Sequence, residues 1–205
     1  VKSAVAGLTA IVAAIIFVVV GIIGWSVGRG AVVASVGAAA VQVQTTVPHI
    51  FLTVATPDML KTDVGPAVLP AAVTVPANSD VIVTILNFDD PTPLTGAYTR
   101  FATAAGIEGK FTAVIVNRAN PNGPATAPAQ TLAAVDPAIV SHTFTIPSLH
   151  LNVPLLASSR TTFTFHTGAA GRFEWHCQDP CGTGPAGWSG AMSVQGYMGG
   201  ELTVI

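Results

Sequence analysis

Hydrophobic positions follow two different patterns along the chain. From Ala4 to Trp25 the sequence AVAGLTAIVAAIIFVVVGIIGW carries no charge. A run of ~20 apolar residues spans the hydrocarbon core of a bilayer, so this stretch predicts one transmembrane helix. A signal peptide would have a shorter apolar core followed by a cleavage site. Ala31 to Val43 stays apolar and Ala-rich, and either lengthens the helix or packs on a neighbour. From Gln44 onward the apolar runs are short and broken by turn residues. Val73 to Phe88 (VTVPANSDVIVTILNF) reads as two β-rich runs around a Pro-Ala-Asn-Ser-Asp turn. The second run is apolar at both alternating sets of positions, as a strand in a sandwich core can be. Ser141–Ile146 (SHTFTI) alternates. Arg160–His166 (RTTFTFH) sets Phe163 and Phe165 on one face and Thr162, Thr164 and His166 on the other. Arg172–His176 and Glu201–Ile205 complete a series of short strands that predicts an antiparallel sandwich or barrel.

The segment from Asp89 to Pro137 breaks this rhythm. It holds DDPTP and NPNGPATAPAQ, with Phe111–Val116 (FTAVIV) as one short strand. It reads as an insertion at about 89–137, of the kind that is usually functional or covered by a partner. The paired acids Asp89 and Asp90 precede Pro91 and read as turn chemistry. Residues 1–43 are therefore expected to form the anchor and a juxtamembrane helix, and 44–205 the β domain.

Only 9% of residues are charged, against ~25% in a typical soluble protein. Burial in lipid and coverage by partner subunits both account for this. The net charge of −2 leaves no basic footprint for nucleic acid. Lys2 and Arg29 balance across the apolar run, so positive charge alone does not orient it. The expected arrangement has the N-terminus inside, a single pass, and the C-terminal domain on the extracytoplasmic side of a prokaryotic cell membrane.

Candidate chemistry gathers between His142 and Met198. Cys177 and Cys181 stand in WHCQDPCG at the end of a predicted strand, a spacing that suits a metal site or a local disulfide. Met192 and Met198 follow in AMSVQGYM, just before the last strand. Imidazole, thiolate and thioether together favour copper, and a blue-copper centre uses two His, one Cys and a weak axial Met. An early His on one strand with Cys and Met on a late loop is the ligand order of a cupredoxin. His176 neighbours Cys177 and should point to the opposite face of its strand. His166 reads as solvent-facing, His49 as a loop residue, and His150 as a reserve ligand. Ser141 beside His142 does not place a nucleophile against its base. GTGPAG lacks the helix and Lys of a phosphate loop.

The stretch HTFTIPSLHLNVPLLASSRTTFTF…GRFEWHCQDPCG resembles the copper domain of cytochrome c oxidase subunit II. That family pairs an HS[WF]..PSLG segment with C-x3-C-x3-H-x2-M. The likeness covers residues 138–205, and more weakly 73–88. It implies an all-β cupredoxin-like Greek-key sandwich behind one N-terminal transmembrane helix. It also implies His142 as the first imidazole ligand, Cys177 and Cys181 as bridging thiolates, Asp179 as donor of a backbone carbonyl, and Met198 as the thioether ligand. The family's second His has no counterpart. Pro185 stands there counted from Cys181, and Gln195 counted back from Met198, because the loop carries the additional GTGPAGWSGAMSVQ. Met192 and the Gln195 side chain are the further candidates.

The implied function is electron transfer through copper, mononuclear or binuclear, from a soluble donor such as cytochrome c or another cupredoxin to the haem-copper oxidase core of a membrane complex. Two alternatives stay open. One is a metal-free cupredoxin-fold structural subunit, since quinol-oxidizing members of the family have lost this copper. The other is copper delivery or storage.

Overall fold

Alternation of apolar and polar positions from Gln44 onward leaves most strands one face to bury, and two sheets packed face to face bury those faces against each other. In a computed structural model of the chain the described residues are 46–205. The transmembrane helix expected over Ala4–Trp25, and the apolar continuation to Val43, lie outside them. Among the described residues no helix is long and apolar enough to cross a membrane.

Among the described residues eleven strands form: β1 (His49–Ala55), β2 (Ala67–Leu69), β3 (Ala72–Val75), β4 (Asp80–Asn87), β5 (Phe111–Ile115), β6 (Gln130–Leu132), β7 (Val140–Ile146), β8 (Leu151–Leu156), β9 (Ser159–His166), β10 (Gly171–His176) and β11 (Gly199–Val204). One sheet has the order β2-β1-β4-β9-β5-β6 and the other β3-β11-β10-β7-β8. The runs flanking the Pro-Ala-Asn-Ser-Asp turn therefore lie in different sheets. Most pairs are antiparallel, but β1 with β4 and β3 with β11 are parallel, so the sheets are mixed rather than purely antiparallel. Parallel neighbours need a long crossover, and here the chain between β1 and β4 supplies it by way of β2 and β3. His49 opens β1 instead of lying in a loop, with Nε2 2.9 Å from Thr84 Oγ1.

The core forms where the inner faces meet. Val81, Val83 and Ile85 of β4 and Phe163 and Phe165 of β9 face Phe144 and Ile146 of β7 and Trp175 of β10. Phe144 joins the layers, its ring 6.2 Å from Phe163 and 5.5 Å from Trp175. Pro154 sits within β8 at the edge of its sheet, where a missing N–H costs no ladder bond.

β7 is buried along its whole length, on both faces. The 89–137 segment helps to explain this. It contributes β5 and β6 to one sheet, and its 3-10 turn Gly96–Ala102 lies along β8 of the other. Asn152 Nδ2 donates to the carbonyls of Phe101 (2.9 Å) and Thr103 (2.7 Å), and Asn152 Oδ1 accepts from Thr145 Oγ1 (2.7 Å). Thr143 and Thr145 on the outer face of β7 are thereby sealed from water with their hydrogen bonds made, as buried polar groups require, whereas the Ser141 hydroxyl is buried without a partner.

Candidate metal centre

β7 brings His142 to the interior. Its inward positions are His142, Phe144 and Ile146, and a register shift against β8 between Val140 and His142 accommodates Ser141. Thr143, on the opposite face, uses its backbone and hydroxyl. Its N–H points at Cys177 Sγ (3.4 Å), and its Oγ1 accepts the Gln178 N–H (2.7 Å). These contacts tie the chain leaving β10 to the start of β7. Cys177 follows directly on His176, and its own N–H donates to the Met198 carbonyl (2.8 Å). The late loop is thus fastened at both ends over the same corner of the sandwich.

The ligand atoms of His142, Cys177 and Cys181 lie within 4.8 Å of one another. The two sulfurs are 3.6 Å apart, and both cysteines are free thiols. Cys177 Sγ is 3.9 Å from His142 Nδ1 and 3.5 Å from the Asp179 carbonyl oxygen. The Cys181 N–H donates to that same carbonyl (2.7 Å), which fixes the turn between the cysteines. Close packing of the loop depends on Gly182, where a Cβ would collide with the Ser189 carbonyl.

Met192 Sδ lies 3.4 Å from Cys181 Sγ. Met198 is buried at the strand entrance and fastens the loop through its backbone. Asp179 presents its carbonyl oxygen to Cys177, while both of its carboxylate oxygens are buried without a hydrogen-bond partner. Gln195 is exposed on the wall of a cleft of about 520 Å³ that also borders Cys177, Met192 and Met198. His176 faces outward into the same cleft, its Nε2 3.8 Å from a Glu174 carboxylate oxygen. His150 is exposed in the turn after β7, and His166 is exposed and paired with Asp80 (2.9 Å). Neither belongs to the His142–Cys177–Cys181 cluster.

Sequence reasoning missed Asp89. Its Oδ2 lies 3.1 Å from His142 Nε2, across 53 positions of sequence. The Asp-Asp-Pro run does make a turn, with the Asp90 N–H on Asp89 Oδ1 (2.9 Å), but the other carboxylate oxygen serves the imidazole. No local pattern links the end of β4 to the start of β7, so only the packing of the two sheets reveals the pair.

Charge in this pocket is strongly redistributed. Burial alone would lower the His142 value, but the hydrogen bonds to Asp89 and Cys177 overcome it and raise it to about 9. Burial would likewise raise the Cys177 thiol, yet the hydrogen bonds from Cys181 and His142 and the imidazole's charge hold it well below its ordinary range. Cys181, donating to that sulfur and itself desolvated, is pushed up. Asp89 resists its own burial through His142 and stays below the usual carboxylate value. Burial, then the neighbouring Cys177 thiolate, push Asp179 up to about 8. In the metal-free protein these shifts all run toward pairing a Cys177 thiolate with a His142 imidazolium, beside a Cys181 thiol and an Asp179 carboxyl that hold their protons more tightly than usual.

One imidazole nitrogen, two sulfurs that can be thiolates, a thioether and a backbone carbonyl form a soft donor set that fits copper. Among the described residues no second imidazole joins the cluster.

Neither a protein-family model nor a curated protein matches the chain. Several solved structures do. Auracyanin B is 17% identical over 79% of this chain and 91% of its own, with a TM-score of 0.36. Dithionite-reduced auracyanin from the photosynthetic bacterium Roseiflexus castenholzii is 17% identical over 78% and 99%, with a TM-score of 0.34. A multi-copper oxidase from Pediococcus acidilactici is 12% identical over 82% of this chain and 28% of the oxidase, with a TM-score of 0.37.

Proposed function

We propose that residues 46–205 are a cupredoxin-type domain that binds copper and transfers electrons. A single transmembrane helix over Ala4–Trp25 would hold it on the extracytoplasmic face of a prokaryotic cell membrane. Its place would be that of a subunit II-like component of a haem-copper oxidase or similar membrane complex, with a soluble cytochrome c or cupredoxin as donor.

The observation that carries this reading is the convergence of His142 Nδ1, Cys177 Sγ and Cys181 Sγ within 4.8 Å, with His142 and Cys177 buried, Cys181 half-buried and Met192 alongside. Copper held there would supply one-electron redox chemistry. His142 would offer Nδ1 while Asp89 keeps the proton on Nε2. Cys177 is held toward the thiolate that a metal needs, and Thr143 N–H and the Asp179 carbonyl fix its surroundings. The buried aromatic wall of Phe144 and Trp175 keeps water from the inner side.

A second reading has one observation in its favour. The single imidazole beside two sulfurs and a thioether is a softer set than the two-His blue-copper centre and suits holding Cu(I) for delivery or storage. Copper titration of the detergent-purified chain separates the cases. Electron transfer predicts a visible sulfur-to-copper band, lost in Cys177→Ser, and a reversible potential. Its resonance hyperfine pattern distinguishes one copper from a shared pair. Colourless copper that does not cycle supports delivery or storage. Failure to bind any copper leaves a structural subunit.

A further inference from the structure

We propose that Asp89 is the positioning residue of the centre. Reaching from the sheet opposite to that of His142, it fixes the imidazole so that Nδ1 is the atom turned to the sulfurs. This inference rests on the copper-binding reading above.

His142 lies on β7, and Asp89 comes two residues after the end of β4 in the facing sheet. The imidazole is fully buried, so its orientation is set by protein atoms alone. Nε2 meets Asp89 Oδ2 at 3.1 Å, and Nδ1 faces Cys177 Sγ at 3.9 Å. A carboxylate can only accept, so Nε2 must carry a proton, and Nδ1 is the nitrogen left to ligate a metal once it gives up its own proton.

The carboxylate is itself immobilised. Asp89 Oδ1 accepts the Asp90 N–H at 2.9 Å, and the Asp89 N–H donates to Asn87 Oδ1 at 2.9 Å. The Asp89 carbonyl takes the Ser158 N–H (3.3 Å) and Arg118 Nη2 (3.1 Å). Buried Asn87 donates in turn to the Leu156 carbonyl (2.8 Å), and Leu156 pairs with Val140 just before His142. A closed chain of hydrogen bonds therefore runs from β4 through Asn87 and β8 to β7, bracketing the imidazole from both sheets. An ordinary turn aspartate needs none of this. Outer-sphere carboxylates of this kind orient a ligating imidazole and make it a stronger donor.

The test uses the full-length chain, reduced and with copper added, as wild type, Asp89→Asn and Asp89→Ala. Three quantities are read: copper affinity, reduction potential, and the exchange-protected Nε2–H resonance of 15N-labelled His142 in metal-free protein. His142→Asn assigns that resonance. Loss of such a partner typically weakens metal binding ~10–100-fold. Asp89→Ala is expected to fall in that range, to shift the potential upward and to lose the resonance. Asp89→Asn, which retains an acceptor oxygen, is expected to keep the resonance and most of the affinity while still raising the potential. A purely structural aspartate would leave the potential of the folded, copper-loaded variants unmoved, and that result overturns the inference. If the wild type binds no copper, the copper reading fails instead. The resonance then decides alone: its persistence in Asp89→Ala refutes the positioning role, and its loss upholds it.

Discussion

Asp179→Asn should stabilise the metal-free protein, and increasingly so as pH rises. Asp179 is fully buried between the two cysteines, and neither carboxylate oxygen has a partner. Burial and the Cys177 thiolate push its value from 3.8 to about 8. Between those limits the folded chain binds a proton that the unfolded chain has released, so stability falls as pH rises. The stabilisation by the neutral carboxyl is complete below 3.8 and lost as pH passes through about 8. Asparagine has nearly the same shape and no titration, so it mimics the neutral carboxyl throughout. The informative quantity is a double difference, variant minus wild type at two pH values, because it cancels whatever the amide costs in both. From about pH 5.5 to about pH 7.5, one proton at ~1.36 kcal/mol per pH unit gives a ceiling of about 2.7 kcal/mol. Water entry and relaxation raise the effective dielectric and bring the expectation to ~1–2 kcal/mol. Urea unfolding with chelator and reductant measures it. A double difference of zero, or a gain largest at the acid end, would refute the reasoning.

Three further outcomes are expected. The far-ultraviolet absorbance of one thiolate should persist well below pH 9.0 in metal-free protein and vanish in Cys177→Ser but not in Cys181→Ser, because Cys177 is the depressed sulfur. Its contribution to stability is full above 9.0 and declines as pH falls through the depressed value, and the reverse assignment of the thiolate would sink this account. Asn152→Ala should cost ~2–3 kcal/mol by leaving the Phe101 and Thr103 carbonyls without their donor, and should speed protease cleavage between 89 and 137; unchanged cleavage would show that the segment is held by other contacts. With copper bound, Met192→Leu should move the reduction potential more than Met198→Leu, since the Met192 thioether is the one beside Cys181; the opposite ranking would return the thioether role to Met198.

Several elements were legible from period alone. β7, β9, β10 and β11 appear as alternating or β-rich runs because one face of each must be buried. β8 was not, since Pro154 interrupts LNVPLL and only its place at a sheet edge makes proline acceptable. β1 and β6 went unpredicted too, and the parallel pairing of β1 with β4 is written in no local pattern. The identities of the soft donors, His142, Cys177 and Cys181, were readable because few residue types offer such atoms and two of them stand in one short motif. The approach of Met192 Sδ to 3.4 Å from Cys181 Sγ was not, since Met192 and Met198 both precede the last strand and only the path of the loop sets that distance.

The strand periodicities, the soft character of the donor set and the uncharged run from Ala4 to Trp25 follow from residue type and short-range spacing, and so are written along the chain. The meeting of Asp89 with His142, the sealing of the Asp179 carboxyl without a partner and the cover on both faces of β7 arise only in the folded sandwich. Those depend on which segments, tens of residues apart, share a wall of the sandwich, and packing of whole sheets sets that distance.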